Sequence, residues 1–388
     1  MFYKCWFNLN IFHVLLICIF HFFIMLWIQS TLLAHLFWFF QTCSQQNPTR
    51  HMILKISQFM HKSVDLDFVK KIISKNEYFT LSVAFHSSLP LIVTSSANQK
   101  INFYDLAPDQ THNHQRKRKR KRKCFFRLRS GCVNSISFHP IFPLLATGSD
   151  DNLVIMYNTT VTTLSFTINS KYILRDHNCV VNSVTFHLNL HLFASGSNDC
   201  TSIVYDITNL PPTLMHRFNH HTDRVQSVTF HPTIALFASA STDTTVIFYD
   251  LITSPPTIQH IISNDDGAIN SIMFSPQTFL LFATGSEKLT ILYDISTSPH
   301  TVKHKFQHHN KEVHSVAFHQ ILPFFATGLC NGTVIVYDFT TSIPTIKHHF
   351  KDHCSSVFCV TFHPMLPFLA ASSYTSIIYN LAKNVNKV

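Results

Sequence analysis

Glycine is scarce in this chain, seven in 388 residues, and no glycine-rich phosphate loop of the G-x-x-x-x-G-K-[ST] or G-x-G-x-x-G kind occurs. The G-x-S-x-G elbow of serine hydrolases and the H-E-x-x-H helix of zinc peptidases are also missing. Ten cysteines form no C-x-x-C pair, the nearest neighbours being Cys354 and Cys359, so a thiolate zinc site is excluded and reduced thiols of a cytosolic compartment are expected. Charge is thin as well: Asp, Glu, Lys and Arg make up 13% of the chain, against a usual share of about 25%. The net charge of +10 is local, because Arg116, Lys117, Arg118, Lys119, Arg120, Lys121, Arg122 and Lys123 are consecutive and the rest of the chain sets 22 basic against 20 acidic residues. No acidic residue precedes Asp65.

What the chain has in abundance is Phe (37) and His (27), within an apolar fraction of 46% that can build a sizeable core. Both recur in order. A Phe, usually followed by His, stands at 85, 138, 186, 230, 274, 318 and 362, and the last four intervals are each 44 residues. A Tyr, usually followed by Asp, stands at 104, 157, 205, 249, 293, 337 and 379, six times 19 residues after its Phe and once 17 after. Seven such pairs define an internal repeat.

Each unit reads as four short strands. In the fourth, Val225–Phe230 alternates apolar with small or polar residues, the period of a half-buried strand. His231-Pro232 breaks it, and Leu236 to Ser239 is a second strand. Ser241-Thr242-Asp243-Thr244 is turn chemistry, since Ser and Asp side chains bond local backbone. Thr245 to Tyr249 and Thr257 to Ile262 complete the unit, separated by Asp250 and the Pro255-Pro256 pair. Four antiparallel strands per ~44 residues make one blade, which buries its faces against its neighbours. The fold class expected is all-β, a seven-bladed propeller.

The units resemble WD repeats, over about residues 76 to 381, with Tyr-Asp or Tyr-Asn in place of Trp-Asp. The resemblance implies a buried polar network in each regular blade: His177, Ser195, Asp199 and Tyr205; His221, Ser239, Asp243 and Tyr249; and, more weakly, His309, Thr327, Asn331 and Tyr337. Other blades depart from it. The second has Arg129 at the His position, the fifth has Asp265 there with Glu287-Lys288 at the turn, and the seventh keeps His353 but has Ala371 where Ser or Thr is expected.

The resemblance also implies a scaffold that binds proteins or peptides at a rim, rather than an enzyme, with no cofactor, metal or small-molecule substrate. The rim is expected at the start of each first strand and before each turn Asp: Asn134, Asp150, Asn182, Asn198, Arg224, Gln226, Thr242, Asn270, Glu312, His314 and Phe358. Arg224 and Phe358 are the preferred anchors, because Arg and aromatic side chains most often carry interface energy. The His residues that follow each Phe, and the pairs His220-His221, His308-His309 and His348-His349, recur in step with the fold and read as structural.

Two segments lie outside the repeat. Residues 1–50 form an apolar leader in which 16 of the 18 residues from Ile11 to Ile28 are apolar, long enough for a transmembrane helix. Lys4 before it and Arg50, Lys55 and Lys62 after it would leave the propeller, residues 64–388, in the cytosol. The other reading is a leader upstream of a true start at Met52 or Met60. The basic loop, residues 112–124, is inserted in the first blade before a fourth strand expected at Phe125–Leu128. It reads as a solvated insert, a nuclear or nucleic-acid patch, or a site for anionic membrane. Few residues follow Tyr379, so Val64 to Ile73 is expected to supply the last strand of the seventh blade.

Overall fold

The computed structural model describes residues 70–75, 78–106, 122–127, 131–161, 166–263, 267–277, 281–296, 301–306, 311–341 and 343–382. They form seven four-stranded antiparallel sheets, each in the spatial order a-b-c-d from the innermost strand outward. In blade 4 the strands are Val225–Phe230, Leu236–Ser241, Thr245–Asp250 and Thr257–Ser263, within two residues of the expected bounds.

Alternation explains why strand a is innermost and strand d outermost. Strand b is buried along its whole length in blades 1, 2, 4, 5, 6 and 7, because neighbouring blades cover both of its faces. Strand d of blade 6, Thr345–Phe350, buries only its last residue. That Phe packs forward: Phe218, Phe306 and Phe350 lie 4.1, 4.5 and 4.0 Å from Tyr249, Tyr337 and Tyr379 of the following blades. The aromatic that replaces Trp is thus held mainly by ring contact between blades.

The ends close by strand exchange. Strand d of blade 7 is Lys70–Lys75, paired antiparallel with Thr375–Asn380 from Lys70↔Tyr379 to Lys75↔Thr375. The Lys70 ammonium also pairs with the Asp352 carboxylate. The observed strand runs two residues past the expected Ile73, and residues 64–69 lie outside the described residues. In blade 1, strand d is Arg122–Arg127, with Tyr104 opposite Arg122. The end of the basic run, Arg122 and Lys123, therefore belongs to the sheet and not to the loop, because strand c, Lys100–Asp105, has a full-length edge to pair. Arg116–Lys121, Leu128 and residues 1–69 lie outside the described residues.

The blades have two unlike ends. At one, the d–a connections and b–c turns meet; at the other, the a–b and c–d connections. We call these the d–a end and the a–b end.

Candidate interaction rim and the network beneath it

The rim candidates occupy the d–a end, where strand a carries an irregularity. Pairing with strand b shifts register between the first and third residues of strand a in blades 1 to 6, for example between Val181 and Ser183. A bulge of this kind bends the strand and re-aims the extra residue. That residue is Asn134, Asn182, Gln226, Asn270 or His314 in blades 2 to 6, and Phe358 stands at the equivalent place before strand a of blade 7.

Three of these asparagines join neighbouring blades. Asn134 Nδ2 donates to Asp150 Oδ1 (2.7 Å) and to Val181 O of the next blade (3.2 Å). Asn182 does the same to Asn198 Oδ1 (2.7 Å) and Val225 O (3.0 Å). Asn270 bonds Glu312 Oε1 (3.0 Å) and Val313 O (3.2 Å). These rim candidates are therefore part of the packing, not free of it. Arg224 is exposed, and its N–H donates to Asp223 Oδ1. Thr242 donates back to Arg224 O, and Gln226 is half-buried.

The rim changes character between blades 6 and 1. The Phe358 ring lies between His314, stacked at 5.6 Å, and Phe79, edge-on at 5.1 Å, and Phe79 stacks on Tyr374 at 4.0 Å. An amide arc on blades 2 to 5 thus faces an aromatic arc on blades 6, 7 and 1. Phe79 and Tyr374 were not legible as rim residues, because they fall where the repeat is least regular.

One residue deeper, the blades repeat. Serines 82, 135, 183, 227, 271 and 315 each accept the N–H of the residue after the equivalent position in the next blade, at 3.1–3.2 Å. Blade 7 has Cys359 at this place, with Sγ 3.8 Å from Val83 O. Six of seven joints around the centre are therefore amide N–H bonds to a hydroxyl oxygen, and the seventh is a weak thiol contact.

Below the d–a loops lies the polar network. His177 Nδ1 donates to Asp199 Oδ2 (2.9 Å), and Nε2 meets Ser195 Oγ at 2.8 Å. His221 repeats this with Asp243 (2.8 Å) and Ser239 (2.8 Å). Each carboxylate also takes a loop N–H, from Asn178 or Thr222, and a Thr hydroxyl, from Thr201 or Thr245 at 2.6 Å. Burial alone would raise the Asp199 carboxyl, but bonds from His177, Thr201 and Asn178 N–H outweigh it and hold it well below the usual range. Burial, opposed by the bond to Asp243, lowers the His221 imidazole.

The connectivity is that of a hydrolytic Ser-His-Asp triad, but Ser195 and Ser239 are 0% exposed, so no substrate carbonyl reaches either hydroxyl. The arrangement is a clamp between loop, turn and sheet. Tyr205 Oη donates to Asp176 Oδ2 (3.2 Å), and Tyr205 and Tyr249 are buried against Ser195 and Ser239. Thr201 and Thr245 add a further hydroxyl to each network. In blade 6, Asn331 Oδ1 accepts Thr333 N–H, Thr327 and Tyr337 are buried, and His309 lies outside the described residues. In blade 7, where Ala371 offers no hydroxyl, Tyr379 Oη reaches His353 Nε2 at 3.4 Å. Arg129 and Asp265 lie outside the described residues. No cluster of three or more potential metal ligands occurs among the described residues.

The family model for the WD domain, G-beta repeat, matches residues 122–158, 168–206, 212–250, 300–338 and 344–379. The chain belongs to the WD-repeat propeller family. Each matched WD repeat runs from strand d of one blade through strand c of the next, so the sequence repeat is offset from the blade by one strand. That offset is why the N-terminal strand Lys70–Lys75 completes blade 7. The stretch feeding blade 5, without the His or the turn Asp, is not matched. No match to a curated protein was found.

Proposed function

We propose that this WD-repeat chain is a protein-interaction scaffold whose partner, a protein or peptide, docks on the d–a end. The observation that carries the reading is the contrast between two adjacent rings. The joint residues are Ser in six blades, whereas the bulge residues one position earlier are Asn, Asn, Gln, Asn, His and Phe in blades 2 to 7. The exposed Arg224 and the aromatic arc around Phe358 supply the side-chain types that dominate interface energies. Arg224→Ala should weaken captured-partner binding by about thirtyfold, the hot-spot scale of ~2 kcal/mol, with an unchanged melting temperature. Capture that instead depends wholly on Arg116–Lys121 would refute the rim and favour a nuclear or nucleic-acid role for the basic segment.

The run Ile11–Ile28 supports a membrane tether as part of the same reading, with the propeller on the cytosolic side. No helix among the described residues is long and apolar enough to cross a membrane. Carbonate extraction tests the tether: the full chain should stay in the pellet, and a chain starting at Met52 should be released by salt.

A further inference from the structure

The outer edge of each blade is strand d, which is hydrogen-bonded to a neighbour on one side only among the described residues. Such an edge offers a row of N–H and C=O groups to any strand that reaches it, and Lys or Arg on the edge is a common guard against that. Strand d carries Lys or Arg in blades 1, 2, 3, 5, 6 and 7. Blade 4 is the exception. Its strand d, Thr257–Ser263, contains no Lys, Arg, Asp or Glu. Nor is it covered, since Ile258 is 39% and Ile261 57% exposed.

Register shows which partner this edge fits. One residue of each strand d lies opposite an Ile of strand c: Arg217 opposite Ile203 in blade 3, Ile261 opposite Ile247 in blade 4, Lys305 opposite Ile291 in blade 5 and His349 opposite Ile335 in blade 6. All four are exposed. If two copies of the chain join edge to edge, antiparallel about a two-fold axis through this position, each of these residues faces its own counterpart. The residues two places before it and two places after it then face one another. In blade 3, Arg217 would meet Arg217, and in blade 5, Lys305 would meet Lys305. In blade 6, Lys347 would face Lys351, and in blade 2, about Ile173, Lys171 would face Arg175. The edges of blades 1 and 7 hold three cations each. Like charges directly opposite are destabilising, so these six edges reject their own copies. In blade 4, Ile261 meets Ile261, His260 meets Ile262 and Gln259 meets Ser263. An aliphatic pair at the centre, flanked by uncharged residues, is the self-complementary case. The register irregularity of this strand, at Gln259, falls at the border of the paired run.

We infer that the outer edge of blade 4 is a self-association site, where Thr257–Ser263 pairs antiparallel with the same strand of a second copy. The four strands of each blade then form one eight-stranded sheet. Strand d runs from the a–b end to the d–a end, so antiparallel pairing points the two d–a ends in opposite directions and leaves both open. The pairing depends on the edge alone and stands whether or not the rim binds a partner.

Sedimentation velocity of the full chain in a non-ionic detergent tests it. At about 50 µM the wild type should sediment as a dimer, with twice the 44.6 kDa of one chain. Ile261→Lys and Ile261→Glu each set like charges face to face and should weaken association by about tenfold. Both should leave the melting temperature unchanged, because the equivalent exposed position holds Arg217 and Lys305 in other blades. An equal mixture of the two variants should recover the dimer, since Lys then faces Glu. A wild type that stays monomeric at that concentration, a dimer that survives either variant, or a mixture that remains monomeric would each overturn the inference.

Discussion

Acid should unfold this propeller, and the histidines that end strand a set the size of the effect. Nδ1 of His319 accepts the N–H groups of Ile321 and Leu322, both at 3.0 Å, and Nε2 lies 3.0 Å from Leu366 O of the next blade. His363 accepts Met365 and Leu366 N–H in the same way. A nitrogen that accepts two N–H groups cannot also carry a proton, so these imidazoles are neutral and protonated on Nε2. Burial lowers His319 to about 4 and His363 to about 3, and burial likewise lowers His353, beneath the blade 7 loop, to about 4. The unfolded chain titrates near pH 6.5, so it takes up protons first on acidification. Stability from these groups is complete above about pH 6.5 and is lost as pH falls through 4. At pH 5 each contributes a loss of about 2 kcal/mol, or about 6 for the three, comparable to the whole stability of a typical domain at ~5–15 kcal/mol. Urea denaturation followed by far-ultraviolet circular dichroism at about pH 7.5 and 5.0 measures it. His319→Asn keeps a side-chain acceptor for the loop but cannot protonate, so it should reduce the pH-dependent loss by about 2 kcal/mol. A wild-type loss under about 2 kcal/mol, or an unchanged loss in the variant, would refute the reasoning.

Further tests address the frame. Asp243→Ala strands His221, Thr222 N–H and Thr245 and should cost about 1–3 kcal/mol, whereas the exposed Asp150→Ala frees chiefly Asn134 and should cost less than about 1. Equal losses in denaturation would undo the network. Deleting residues 1–75 removes the closing strand and should lower the melting temperature or abolish folding, while deleting 1–51 should leave it unchanged; alike melting would reject closure by exchange. Cys359→Ser should complete the central ring and raise stability by about 0.5–1 kcal/mol, unless the joint is already bonded as well as its six counterparts. Thr244 holds a left-handed φ of 72°, where blade 6 has Gly332 at φ 81°, so Thr244→Gly should stabilise by up to about 1 kcal/mol, and a lower melting temperature would contradict the strain.

The number of blades, the strand positions within each unit and the exchange of the terminal strand could all be read along the chain. They depend on local rules, the two-residue pleat and the turn residues that interrupt it, and on a 44-residue period that repeats them. The His, Ser and Asp positions of blades 3 and 4 were legible for the same reason, since each sits at a fixed offset from its Phe. The bond from Tyr205 to Asp176 was not, because only the fold brings the loop ahead of His177 to the tyrosine hydroxyl. Asn134, Asn182 and Asn270 were expected on the rim from their place at the start of strand a alone. Their bonds to Val181, Val225 and Val313 exist only once the next blade is in place.

Sequence alone therefore determined the architecture, because a blade is specified by pattern within about 44 residues. The tertiary structure decided everything that passes between blades: the serine ring with its single cysteine, and the division of the rim into amide and aromatic arcs. Each depends on which of seven similar units stand side by side. That arrangement is settled by closure of the ring, and no window of sequence contains it.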